Sequence, residues 1–353
     1  MVLRHRSSGG STAPIAALAF FAAAIFWPSV VKAADSAVVF MYHRFGESAY
    51  PTTSIRLDQF DAHIAELKSG KYAVLPLPEI VATLRERGKL PDYAVAISVD
   101  DAYESVYTRA WPRLKAAGLP FTLFLATDPI DQKTAGMMSW DQIRELAKAG
   151  VTIGAHSASH LHMPDNDAAV NRADIERSNA RYRAEVGAVP ALFAYPYGEM
   201  GRAVGTLVAD TGYKAAFGQH SGVIDTGSNF FYLPRFALNE HYGAIDRFRL
   251  AARALPLPVS DVTPGDPLLG PGNNPPAFGF TLASDIAKHA GRIACYSSLD
   301  GRTRVERLGE RRVEVRMARP FPPGRGRINC TMPGPDGRWR WLGTQFYVSK
   351  KAL

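Results

Sequence analysis

The chain has 353 residues, of which 46% are hydrophobic and 21% charged, enough for one large domain or a large and a small one. That composition excludes a disordered or low-complexity protein and leaves material for a sizeable core. The formal net charge is +8, but residues 34–277 carry −4 and residues 278–353 carry +9, so the basic excess belongs to the tail and divides the chain in two.

The first residues read as a targeting segment. Arg4 and Arg6 form a positive start, an apolar run follows over 15–27, and Val31-Lys32-Ala33 offers small residues where a signal peptidase cuts, after Ala33. The run is shorter than the ~20 residues that span a bilayer comfortably. A signal peptide over 1–33 is therefore expected, with a retained anchor as the alternative and no integral membrane span after cleavage. The mature chain is placed in the periplasm or outside the cell, a setting that disfavours nucleic acid as a partner.

From residue 34 to 255 apolar strands alternate with amphipathic helices. Strands are expected at 38–42, 94–99, 121–126, 151–155, 191–195, 215–218 and 232–238. Helices are expected at 57–69, where Phe60, Ile64 and Leu67 share a face, at 106–117 before Gly118, and at 140–149 before Gly150. The alternation predicts a parallel sheet, open or closed. Residues 256–277, with seven prolines and three glycines, read as a linker or an extended wrap. Beyond them the pattern changes to period two: Val313, Val315 and Met317 alternate with Arg312, Glu314 and Arg316, and Asp300-Gly301 and Asp336-Gly337 mark turns. A small antiparallel β-sandwich is expected over 278–353.

Three motifs fall just past strand ends, where α/β folds place their chemistry. Ser98-Val99-Asp100-Asp101 supplies two adjacent carboxylates, which an extended chain would send in different directions. His156-Ser157-Ala158-Ser159-His160, with His162 nearby, supplies two imidazoles four residues apart. Two imidazoles and one carboxylate suit a divalent ion that keeps open positions. Phe193-Ala194-Tyr195-Pro196-Tyr197-Gly198 supplies a turn that can aim the Tyr197 N–H at an oxyanion.

Together and in this order the motifs resemble the polysaccharide deacetylase family with NodB homology, carbohydrate esterase family 4, over roughly residues 37–240. The resemblance implies a distorted (β/α) barrel of about seven strands. It also implies one divalent ion, zinc above all with cobalt or nickel as substitutes, on Asp101, His156 and His160. Asp100 would be the general base and an acetylated polysaccharide the partner. Many members carry an arginine where this chain has Ala194, so Asp100 needs another cation, and Arg235 in Leu233-Pro234-Arg235 is the candidate. The late Leu-x-His motif is also displaced: in Leu238-Asn239-Glu240-His241 the histidine comes one residue late. Phe40-Met41-Tyr42-His43 looks instead like the opening segment of exported poly-β-1,6-N-acetylglucosamine deacetylases, which makes His43 the expected acid, ahead of His241. Trp140, Tyr195 and Pro196 are assigned to the sugar subsite. The reactions implied are removal of N-acetyl groups from N-acetylglucosamine units or, as alternatives, O-acetyl ester hydrolysis or non-catalytic carbohydrate binding.

In the tail, Cys295 and Cys330 form an even pair inside one small domain, which in an exported protein predicts a disulfide. Nine arginines lie between Arg302 and Arg327, and Trp339 and Trp341 flank Arg340. Such a face suits an acidic glycan or an anionic envelope surface, or is simply solvated.

Overall fold

A computed structural model describes residues 1–5, 8–10 and 33–351. The apolar run 15–27 and the cleavage site before residue 34 lie almost wholly outside the described residues. No described helix is long and apolar enough to cross a membrane.

Within Lys32–Leu353 the chain forms one contact unit. Its centre is a curled parallel sheet of strands β1 (Ser36–Tyr42), β2 (Ala94–Asp100), β3 (Thr122–Leu125), β4 (Thr152–Ala155), β5 (Leu192–Ala194) and β6 (Ala215–Phe217), paired in that order. All seven residues of β1 and of β2 are buried, as expected for strands covered on both faces. A short strand β7 (Phe236–Ala237) runs parallel to β1 on its other side. Between β6 and β7 the Phe217–Leu233 bridge, with the Arg235 N–H donating to the His220 carbonyl at 2.9 Å, continues the curl of the sheet. The curled sheet is consistent with a (β/α) barrel, and its curl carries Arg235 to Asp100 at the end of β2.

Helices cover the outside. Leu57–Leu67 and Trp140–Lys148 fall where periodicity places them; the latter starts on a capping box between Ser139 and Gln142. Over 106–117 only Trp111–Ala117 is a regular α-helix, ended by left-handed Gly118; Val106–Ala110 forms wider turns. Helices at Leu77–Arg85, Ala168–Val186, Arg202–Asp210 and Ile245–Ala252 are additional to the expected set.

The Pro/Gly-rich stretch 256–277 is not free chain. It contains strand β8 (Val259–Thr263), antiparallel to β9 (Phe278–Leu282), and Leu268–Leu269 pairs with Tyr347 and Val348. No proline lies within Val259–Thr263 or Leu268–Leu269; Pro258, Pro264 and Pro267 flank them, so no ladder bond is lost to a missing N–H. The tail continues with β10 (Ala294–Ser297), β11 (Arg304–Leu308), β12 (Arg312–Arg316), β13 (Gly324–Pro333) and β14 (Trp339–Val348). These strands form two antiparallel-rich sheets whose inner residues, among them Phe278, Phe280, Val313, Ile328 and Phe346, share one hydrophobic cluster. Cys295 on β10 lies opposite Cys330 on β13, and the two are disulfide-bonded.

Candidate active site

Strand β2 ends at Asp100, and the chain turns at Asp101, whose φ of 58° is left-handed. That turn separates the two carboxylates. Asp100 points into the barrel and is fully buried, whereas the Asp101 side chain keeps 15% of its surface open to the cleft.

Inside the barrel Asp100 meets Arg235 in a fork: Nη1 donates to Oδ1 at 2.6 Å and Nη2 to Oδ2 at 2.7 Å. Arg235 Nε donates to the Gly218 carbonyl at 3.0 Å and Nη1 also reaches Ser98 Oγ at 3.2 Å, so a fully buried guanidinium is held on several sides. Burial is the largest influence and raises the Asp100 pKa, but the charge and hydrogen bonds of Arg235, together with the neighbouring His156 and His43, jointly outweigh it and hold the carboxyl down at about 2. His43, at the mouth of β1, has Nε2 3.9 Å from Asp100 Oδ2.

His156 follows β4. Its Nδ1 lies 2.7 Å from the Ala194 carbonyl, which can only accept, so Nδ1 carries the proton and Nε2 presents its lone pair to the cleft. That Nε2 is 3.2 Å from His160 Nε2 and 3.7 Å from Asp101 Oδ1, and His160 Nε2 is 3.5 Å from the same oxygen. Burial pushes both imidazoles down to about 4, which keeps them neutral at pH 7. A tetrahedral zinc with bonds of about 2.0–2.2 Å separates its ligands by roughly 3.3–3.6 Å, so these three groups fit a divalent ion with little movement.

The loop between the histidines contains two left-handed residues, Ser157 and His160. Asp174, buried on the helix Ala168–Val186, stabilises it by accepting from the Ala158 N–H at 2.9 Å, the Ser159 N–H at 3.1 Å and Ser159 Oγ at 2.6 Å. Sequence reasoning passed over Asp174; its signal was an acidic residue on a helix whose inward face also holds Asn171, Ser178 and Asn179.

Tyr197 is left-handed (φ 59°), and so is Gly198, where a Cβ would lie 2.4 Å from the Gln219 nitrogen. Only glycine fits there. The Tyr197 ring stacks on His162, centroids 4.2 Å apart, and meets His160 edge-on at 4.4 Å. The other residues assigned to the sugar subsite lie elsewhere. Tyr195 is fully buried with its hydroxyl donating to the Phe231 carbonyl, because its ring enters the core beside Phe193. Pro196 is buried at the start of the turn. Trp140 lies outside the cleft, its indole N–H on Asp131 and its ring under Arg181. His241 is exposed and does not line the cleft.

The cleft itself measures about 880 Å³. His43, Asp101, His160 and Tyr197 line it from the barrel, and Arg325, Arg327, Asn329 and Trp341 line it from the tail. The tail's contribution was not anticipated, because the basic run reads as a separate face when strand pairing across the two parts is unknown.

Residues 87–216 match the family model described as polysaccharide deacetylase. The poly-beta-1,6-N-acetyl-D-glucosamine N-deacetylase of Staphylococcus aureus is 26% identical over 214 residues, covering 57% of this chain and 73% of that protein. Among solved structures, the deacetylase PplD of Streptococcus pyogenes superposes with a TM-score of 0.58 at 18% identity, covering 62% of this chain and 98% of that one. IcaB of Ammonifex degensii gives 0.56 at 24% identity, again covering 62% and 98%. The segment that matches the polysaccharide deacetylase model contains Asp100, Asp101, His156 and His160, and the solved structures share the fold that brings these residues together.

Proposed function

We propose that the chain hydrolyses N-acetyl groups on N-acetylglucosamine units of a cell-surface or secreted polysaccharide. The observation that carries this reading is the convergence of Asp101, His156 and His160 beside a carboxylate pinned by Arg235. Asp101, His156 and His160 would hold one divalent ion, zinc or a substitute such as cobalt or nickel, which would supply Lewis acidity and lower the pKa of water toward neutrality.

Asp100 accepts the proton of the attacking water. Its low pKa keeps it a carboxylate at every working pH but also makes it a weak base. The turn presents the Tyr197 backbone N–H to the developing oxyanion, and its left-handed angles fix the direction. His43, which lines the same cleft as His160, donates the proton that the departing amine needs. Arg235 acts through Asp100, which it charges and aims.

The curated relative from Staphylococcus aureus supports the choice of an N-acetylated glucosamine polymer. Export rests on the charged start and apolar run of the first 33 residues. The two sheets around one core support reading 278–353, joined by β8, as a β-sandwich.

The test is acetate release from a panel of N-acetylated and O-acetylated glycans, with and without a chelator. Chelator-sensitive release from N-acetylglucosamine oligomers is expected. Release from acetylated xylan alone would replace the reading with O-deacetylation.

A further inference from the structure

Strand β13 alternates between two environments. Gly326, Ile328 and Cys330 face the tail's own core, while Arg325, Arg327 and Asn329 face the barrel. On paired β14, Gln345 opposite Arg327 and Trp341 beside Asn329 face the same way; Trp341 donates to Asn329 Oδ1 at 3.1 Å and packs edge-on against Phe236 of the barrel. The sheet is therefore one wall of the catalytic cleft.

That wall is cationic and its charges are unspent. Arg327 donates to Gln345 Oε1, and Arg247 on the barrel side donates to the Tyr242 carbonyl. Among the described residues neither has a carboxylate partner. Arg325 lies 4.0 Å from Glu199, but that carboxylate is held by His162 at 2.7 Å. Arg44, also in the cleft, is different: Glu47 takes it at 2.6 Å. Among the described lining residues Asp101 is the one carboxylate, and it belongs to the candidate metal set.

We propose that the cleft takes an anionic glycan, whose repeat carries a carboxylate near the N-acetyl sugar, and that Arg325, Arg327 and Arg247 hold that carboxylate. This rests on the deacetylase reading and adds the substrate class. Arg327 and Arg247, half-buried and bonded only to neutral acceptors, have given up water without a charge partner, and a ligand carboxylate returns one, with the exposed Arg325 adding its charge at the rim. A neutral glycan returns nothing. The product sharpens the argument, because hydrolysis leaves an ammonium group beside three guanidinium groups. A carboxylate on the neighbouring sugar offsets that repulsion.

Calorimetric titration of the full chain with an unacetylated oligouronate reads anion binding without turnover. Acetate release from N-acetylglucosamine oligomers, with and without alternating uronate, reads the reaction separately. The oligouronate should bind at least tenfold tighter than a neutral oligosaccharide of equal length, and raising salt from about 0.05 to about 0.5 M should remove most of the difference. Arg327→Gln should weaken oligouronate binding about tenfold, Arg327→Lys should keep most of it, and Arg247→Gln should weaken it from the opposite wall. Equal affinity for the two oligomers, or oligouronate binding that none of these changes moves, overturns the proposal. A chain that binds oligouronate but releases acetate from no glycan faults the deacetylase reading alone. Equal release from neutral and acidic oligomers without oligouronate binding faults the anionic substrate alone.

Discussion

Asp100 and Asp101 are neighbours in sequence and occupy different worlds, one sealed against Arg235 and the other open to the cleft. Their substitution should separate in the same way. Asp101→Asn, His156→Ala and His160→Ala should each lose the ion and the activity, whereas Asp100→Asn should retain about one ion per chain and lose activity. Elemental analysis beside acetate release reads both, and metal lost from Asp100→Asn but kept by Asp101→Asn would reverse the roles. His43→Ala should slow N-deacetylation by ~10²–10⁴-fold while keeping its metal, and should lose far less on an activated aryl acetate, whose leaving group needs no proton. His241→Ala should change little. A crippled His241→Ala beside a near-normal His43→Ala would move the acid to the later histidine. At this scale the sequence was most legible where polar residues end apolar strands. Trp140, Tyr195 and Pro196 were misplaced because an aromatic beside a motif looks the same whether its ring enters the cleft or the core.

The helix Ala168–Val186 shows why some elements escaped. Its buried side combines Ile175 and Tyr182 with Asn171, Asp174, Ser178 and Asn179, so no apolar stripe marks it. Each of those polar groups is buried with a partner of its own: Asp174 holds the histidine loop, Asn171 donates to the Met163 and Asn166 carbonyls, Ser178 donates to the Ile175 carbonyl, and Asn179 accepts from the Tyr213 hydroxyl. The helix Leu57–Leu67 was legible through Phe60, Ile64 and Leu67, yet it also buries His63, stacked on Phe248 and bonded to the Gly243 carbonyl at 2.8 Å. Burial, reinforced by Arg247, pushes this imidazole down to about 4 from its ordinary 6.5. Between those values the unfolded chain binds more protons than the folded one. His63 therefore makes stability rise with pH through this window and fall on acidification, by about 2 kcal/mol between pH 7 and pH 5. Urea midpoints of wild type and His63→Gln at the two pH values measure the difference, and identical pH dependence in both would refute it.

For the molecule as a whole, the two parts suggested by charge share a wall. Asp165 of the barrel accepts from Tyr347 and Ser349 hydroxyls, each at 2.6 Å, and a Cβ on Gly343 would collide with the Ser221 carbonyl. Composition divides the chain by charge but could not show this contact, since nothing in a strand's own sequence names the surface its outer face will meet, and Lys32–Leu353 forms one contact unit. Of the two readings the proline-rich stretch allowed, linker or extended wrap, its short strands paired to the tail sheets favour the wrap, since proline argues against a central strand and not against an edge. Replacing Cys295 and Cys330 with Ser should cost roughly 3–4 kcal/mol by freeing the loop they close. Because the same strand carries Arg325 and Arg327, the loosening should raise KM more than it lowers kcat. Denaturation and steady-state kinetics on the double variant check both, and an unchanged KM in a destabilised protein would mean that the wall does not touch substrate.

The period of two in β13 has an evolutionary consequence. Positions 326, 328 and 330 are committed to the fold, while 325, 327 and 329 face the cleft, so the strand keeps its structural text and its recognition text on alternate letters. Drift or a library confined to the odd letters can rewrite which polymer is read without touching the core on one side or the proposed metal ligands on the other.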